Sequence, residues 1–153
     1  VFNIDKYIVM NVFQLNYETR LQSWFDLRTN IEKSTTKEKC IAIDDWWQNA
    51  PLVNHHLHIL DSDAWPGPWE LLVDNTYCTV ARALGMCYTL LLVGENNIDL
   101  VEATDKMGED LVLVLVDNAK YVCNYWPNTV VNNCSSDFTI KRYIDISHLQ
   151  LKI

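Results

Sequence analysis

DNTYCTVARALGMCYTLLLVG, residues 74–94, decides how this chain folds. Apolar residues fill most positions from Tyr77 to Val93, with Val80, Leu84, Cys87, Tyr88 and Leu91 at helical spacing and Arg82 as the one charge inside. A helix apolar on nearly every side lies in the middle of a domain, so this is the expected central helix. Asp74, Asn75 and Thr76 are cap residues before the run, and Gly94 can take the left-handed conformation that closes it. The expected span is 76–93. With Asn75 or Thr76 as N-cap, Cys78 falls in the first turn, where free N–H groups and the positive end of the helix dipole favour a nucleophilic thiol. The competing reading makes Cys78 a small buried packing residue.

The loop before this helix, 49–68, holds three of the four prolines and has no periodicity. His55, His56 and His58 with Asp61 and Asp63 suggest a metal. Two of the histidines are adjacent, however, and no second ligand cluster follows at a known spacing, so no metal and no other cofactor is expected. Trp65 and Trp69 flank a Pro-Gly-Pro bend and are the candidate binding residues of an exposed aromatic loop, because Trp is over-represented at binding hot spots. Anchoring in the core is the alternative for both. A short helical turn over 69–73 leads into the central helix.

Further toward the N-terminus, the pattern gives a helix over 37–48, capped by Ser34, Thr35 or Thr36 with Glu38 as reciprocal partner. Cys40, Ile43, Trp46 and Trp47 share one face of it. An amphipathic helix covers 7–31, with room for a separate turn at its start.

After Gly94 the character changes to β-branched and aromatic segments at 98–103, 111–116 and 120–126. They read as antiparallel strands, with Asp117, Asn118 and Ala119 as a tight hairpin. LVLVLV, 111–116, is apolar on both faces, as a strand covered on both sides would be. A loop with a short strand at 129–131 leads to an edge strand at 138–146, which places Phe138, Ile140 and Arg142 on one face. The fold class is α+β in a single domain, 1–153: N-terminal helices and a central buried helix packed on a small antiparallel sheet.

Twenty acidic residues against 12 basic give a net charge of −8, opposite to what a phosphate backbone attracts, so no nucleic-acid partner is expected. A protein partner is expected instead, and such a charge steers basic ones. Every apolar run is broken before about 18 residues, so no membrane span is expected. The five cysteines form no C-x-x-C pair and all read as free thiols in a reducing, intracellular setting. Cys78 and Cys87 are separated by about 13 Å of helical rise, beyond disulfide reach.

A loop, a cysteine opening a buried helix, then antiparallel strands: this order resembles the transglutaminase-like branch of the papain-like cysteine enzymes. The resemblance implies Cys78 as nucleophile, a histidine base at the head of the second strand within 109–112, and Asn124 in YVCNYW as the group that orients it. GEDLVL holds no histidine, which makes the scaffold degenerate and leaves His148, His55, His56 and His58 as candidate bases from outside that strand. The stretches at 65–92 and 111–133 also resemble proteins encoded by T-even-like myophages of marine cyanobacteria. That resemblance implies a phage protein in the host cytoplasm, or alternatively in the virion, and brings no activity with it. The expected function is a non-catalytic binding or accessory protein on a degenerate transglutaminase-like scaffold. The alternatives are a cysteine-dependent transamidase, peptidase or amidase, and a minor virion component.

Overall fold

In the computed structural model, which describes residues 11–53, 55–132 and 135–153, four helices precede a four-stranded sheet. The helices are α1 (Tyr17–Ile31), α2 (Thr36–Trp47), α3 (Pro68–Asp74) and α4 (Thr79–Leu92). The strands β1 (Ile98–Asp105), β2 (Asp110–Val116), β3 (Tyr121–Cys123) and β4 (Phe138–Ile144) are antiparallel in the order β3-β2-β1-β4. The α+β expectation therefore holds.

Helix α4 is the centre, buried from Ala83 through Leu90. Helix α2 crosses it where Gly85 leaves room for Trp47; a Cβ at Gly85 would stand 2.6 Å from that ring. The indole N–H groups of Trp24 and Trp47 both donate to Thr89 Oγ1 at 2.9 Å, and the Thr89 hydroxyl donates to the Gly85 carbonyl. One hydroxyl thus satisfies two buried indoles. Each such ring takes about 200 Å² out of water, worth ~5 kcal/mol, so these two side chains fasten α1 and α2 to α4.

Strand β2 is covered on both sides, as its composition requires. Val112, Val114 and Val116 face α4, whereas Leu113 and Leu115 join Val101, Ala103 and Val122 in a second cluster packed by Tyr125 and Phe138. The hairpin at Asp117, Asn118 and Ala119 takes φ of 57°, 55° and 63°, closed by the Lys120 N–H on the Asp117 carbonyl.

Several boundaries differ from the sequence expectation. Asn16, whose side chain accepts the Thr19 N–H, starts α1 only at Tyr17, after a 3-10 turn at Val12–Gln14; the part of the expected 7–31 helix before residue 11 lies outside the described residues. Thr35 starts α2, its oxygen accepting the Glu38 N–H and its hydroxyl donating to the Glu38 carboxylate. Helix α4 starts at Thr79, later than expected. Asn75 adopts φ 51° and donates its N–H to the Leu71 carbonyl, so it closes α3 instead of opening α4. Tyr77 is then extended and bridges Leu52.

Strand β3 stops at Cys123, because Asn124 at φ 66° turns the chain away. Residues 129–131 form no strand, with one ladder-like bond from the Val122 N–H to the Val130 carbonyl. Strand β4 ends at Ile144 and carries a bulge opposite Glu102 and Ala103. The bulge breaks the expected alternation: Ile140 pairs with Ala103, while Arg142 pairs with Glu102 on the other face. Cys40, Cys78, Cys87 and Cys123 are free thiols, and Cys134 lies outside the described residues.

Candidate cysteine site

Cys78 is the N-cap of α4, extended at φ −125°, with its carbonyl accepting the Arg82 N–H. It is 3% exposed. Tyr77 fixes it in place: that ring is fully buried edge-on to Phe13 and Trp47, and its hydroxyl donates to the Leu71 carbonyl. Burial pushes the Tyr77 phenol well above its ordinary range.

A cleft of about 350 Å³ opens before the first turn of α4, lined by Thr79, Val80, Glu102, Asp110 and Val112, with His55 and His58 from the loop. The period of two along β2 places Asp110 on the face of Val112, toward α4. Glu102 stands opposite Val112 in the register and shares that face. Where the resemblance implies an imidazole, the sheet therefore presents two carboxylates. They are paired outward, Asp110 with Lys141 at 3.3 Å and Glu102 with Arg142 at 3.3 Å. A carboxylate is a weak proton acceptor at neutral pH.

The four candidate histidines fall in three places. His58 and His55 reach the cleft, but His58 Nδ1 accepts the Leu60 N–H at 3.2 Å. The proton of the neutral ring is then on Nε2, which can donate and cannot accept. His56 lines a separate cleft with Leu57, Glu70 and Thr76. His148 stacks on Trp65, centroids 5.6 Å apart. Among the described residues, no hydrogen bond joins the Cys78 sulfur to His55, His58 or His148.

Asn124 sits beside the site and ties three segments together. Its side-chain amide donates to the Val112 carbonyl at 2.8 Å and to the Thr79 carbonyl at 3.2 Å, so both amide hydrogens are spent on backbone. Its own N–H donates to Asp44 Oδ1 at 2.8 Å. Asn124 is a lock joining the heads of β2 and α4 to α2. Burial pushes the Asp44 carboxyl above its ordinary value, a rise partly offset by the Asn124 and Gln48 hydrogen bonds. Arg82 lies close enough to be felt, yet its guanidinium is spent on the Gln48 side chain and on the Gln48 and Ala50 carbonyls.

The aromatic pair divides. Trp65 is 2% exposed, its N–H donating to the His58 carbonyl. The expectation that both tryptophans are surface-exposed therefore fails for Trp65, because the C-terminal His148 covers it. Trp69 is 41% exposed and meets Trp24 edge-on. Sequence reasoning missed Glu102 and Asp44, while Asp110 is among the acidic neighbours it offers for Cys78; Asp44 is legible only once α2 meets Asn124.

No protein-family model matches the sequence, and no curated protein matches it. Solved structures do. LapG of Legionella pneumophila superposes with TM-score 0.69 at 13% identity, covering 84% of this chain and 74% of that one. Its calcium-bound form gives TM-score 0.70 at 12% identity over 94% of this chain and 81% of that one. Likeness at such low identity speaks for architecture, and LapG has a transglutaminase-like fold. The helices and four-stranded antiparallel sheet of this chain thus form a transglutaminase-like α+β fold.

Proposed function

We propose that this chain is a non-catalytic binding or accessory protein on a transglutaminase-like scaffold, one that keeps the cysteine position without its base. The observation that carries the reading is Asp110 on the α4 face of β2, with Asn124 committed to the Val112 and Thr79 carbonyls. General base and acid steps typically contribute ~100 to ~10,000-fold each, and among the described residues no hydrogen bond gives the Cys78 sulfur an imidazole partner from His55, His58 or His148. The phage resemblance belongs to this proposal, with the host cytoplasm as location; so does a protein partner, with Trp69 as an exposed contact.

A second reading has one observation in its favour. LapG is a cysteine protease of this fold, and Cys78 stands at the N-terminus of the corresponding central helix type. The calcium belongs to that LapG structure and enters neither reading.

The two readings separate on p-nitrophenyl acetate. A competent cysteine releases one equivalent of p-nitrophenolate in a burst as it is acylated. The expected result is the same slow release from wild type and Cys78→Ser; a stoichiometric burst lost in Cys78→Ser would establish the enzyme.

A further inference from the structure

A second cleft, of about 420 Å³, lies between α2 and the turn that follows β3. On α2 the positions Glu38, Ile41, Asp45 and Gln48 fall three and four apart, so they form one stripe along the cleft. Val130 and Val131 face them from the turn. Ile41 and Val131 are 42% and 44% exposed, leaving hydrocarbon open to water at the mouth.

The charge in this cleft has one sign. Glu38, Asp44 and Asp45 line it, and no lysine or arginine does. Asp44 is 2% exposed, and only its Oδ1 takes hydrogen bonds, from the Asn124 N–H and the Gln48 amide. Among the described residues it makes no ion pair, and its Oδ2 has no hydrogen-bond partner. A nearly buried carboxylate with an open oxygen, in a cleft with aliphatic walls, complements an aliphatic stem that ends in a cation.

We infer that this cleft is a docking site for a basic segment of a partner protein, a lysine or arginine side chain lying along Ile41 and Val131 with its cation at the Asp44 and Asp45 end and Glu38 adding negative charge about two turns away. The net charge of −8 draws such a segment in from a distance, and the cleft gives it a place to end. The inference rests on the binding reading above and names the chemistry of the partner. Asn124 stands between this cleft and the one at the first turn of α4, its N–H on Asp44 and its amide on Val112 and Thr79.

The test is isothermal titration with the acetylated, amidated peptide (Ala-Lys-Leu)3, against the (Ala-Gln-Leu)3 analogue and n-butylamine. Two double variants remove the same charge: Glu38→Gln with Asp45→Asn in the cleft, and Glu18→Gln with Asp26→Asn on α1. All four positions are surface or helix-start sites, and the Glu38→Gln change keeps a side-chain oxygen for the cap. The expected result is binding of the lysine peptide alone, weakened about tenfold by the cleft pair and unchanged by the α1 pair. Equal loss in both pairs would reduce the effect to long-range attraction, equal binding of the glutamine-containing peptide would remove the cation, and equal binding of n-butylamine would replace the protein segment by a small amine; each overturns the inference. Cys78→Ser protein should bind the peptide like wild type. A failed titration with no p-nitrophenolate burst sinks the docking site alone, whereas a burst sinks the non-catalytic reading whatever the peptide does.

Discussion

Asn124 hands its side-chain amide to the carbonyl of Val112 at 2.8 Å and to that of Thr79 at 3.2 Å, so the residue at the expected orienting position ties β2 to the head of α4. The residue can do so because asparagine tolerates the left-handed φ of 66° found there.

This lock makes Asn124→Asp informative. An orienting residue would accept the change, since a carboxylate holds an imidazole at least as well. A lock would not: the carboxylate cannot donate, two carbonyls lose their partner, and a negative charge arrives near Asp44. The expected loss is about 3 kcal/mol in urea unfolding, with Asn124→Ala losing ~2 to ~4 kcal/mol. An Asn124→Asp protein as stable as wild type would contradict the lock.

Gly85 gives a second test, in which two effects oppose one another. Alanine is the better helix former by about 1 kcal/mol. Its Cβ would, however, meet the Trp47 ring at 2.6 Å, inside a core that cannot yield without moving α2. Overpacking of that kind costs ~1 to ~3 kcal/mol. Gly85→Ala is therefore expected to lower the melting temperature by several degrees, about 2 to 4 °C per kcal/mol at this size. A rise would mean that α2 does not press on α4 as described.

Asp44 makes stability depend on pH in a definite direction. Burial raises its carboxyl in the folded state, so between the unfolded value, about 3.9, and the raised one the native protein binds the extra proton. Its contribution to stability is therefore most favourable below the unfolded value and falls as pH rises through that window. Asp44→Asn keeps an acceptor for the Asn124 N–H and removes the buried charge. Relative to wild type it should be more stable at pH 7 than at pH 4, as read by urea midpoints at both. A relative stability that instead grows on acidification would reverse the sign and contradict the burial account.

How much of the fold and site is legible in the sequence depends on how local the cause is. Thr35 with Glu38, and the two-faced LVLVLV run of β2, are set by neighbours a few residues away and read correctly. The start of α4 reads too early because Asn75 has two possible uses, and its contact with Leu71 behind it selects the C-cap of α3. Trp65 reads as exposed because the ring that covers it, His148, comes from the far end of the chain. Absence of a base at the head of β2 is visible in GEDLVL, but the meeting of Asp44 with Asn124, 80 residues apart, needs the fold.

On the binding reading Cys78 occupies a nucleophile's position without being activated, and iodoacetamide alkylation of the native protein from pH 5 to 9 measures this. Burial pushes the Cys87 thiol up to about 12, and the hydrogen bond to Cys40 together with burial holds Cys123 well above its ordinary value, so neither competes for the reagent below pH 9. Cys78→Ser assigns whatever label remains. The expected result is slow labelling at pH 6 that the substitution does not change. Rapid labelling at pH 6 that vanishes in Cys78→Ser would contradict the account and show an activated thiolate at the head of α4.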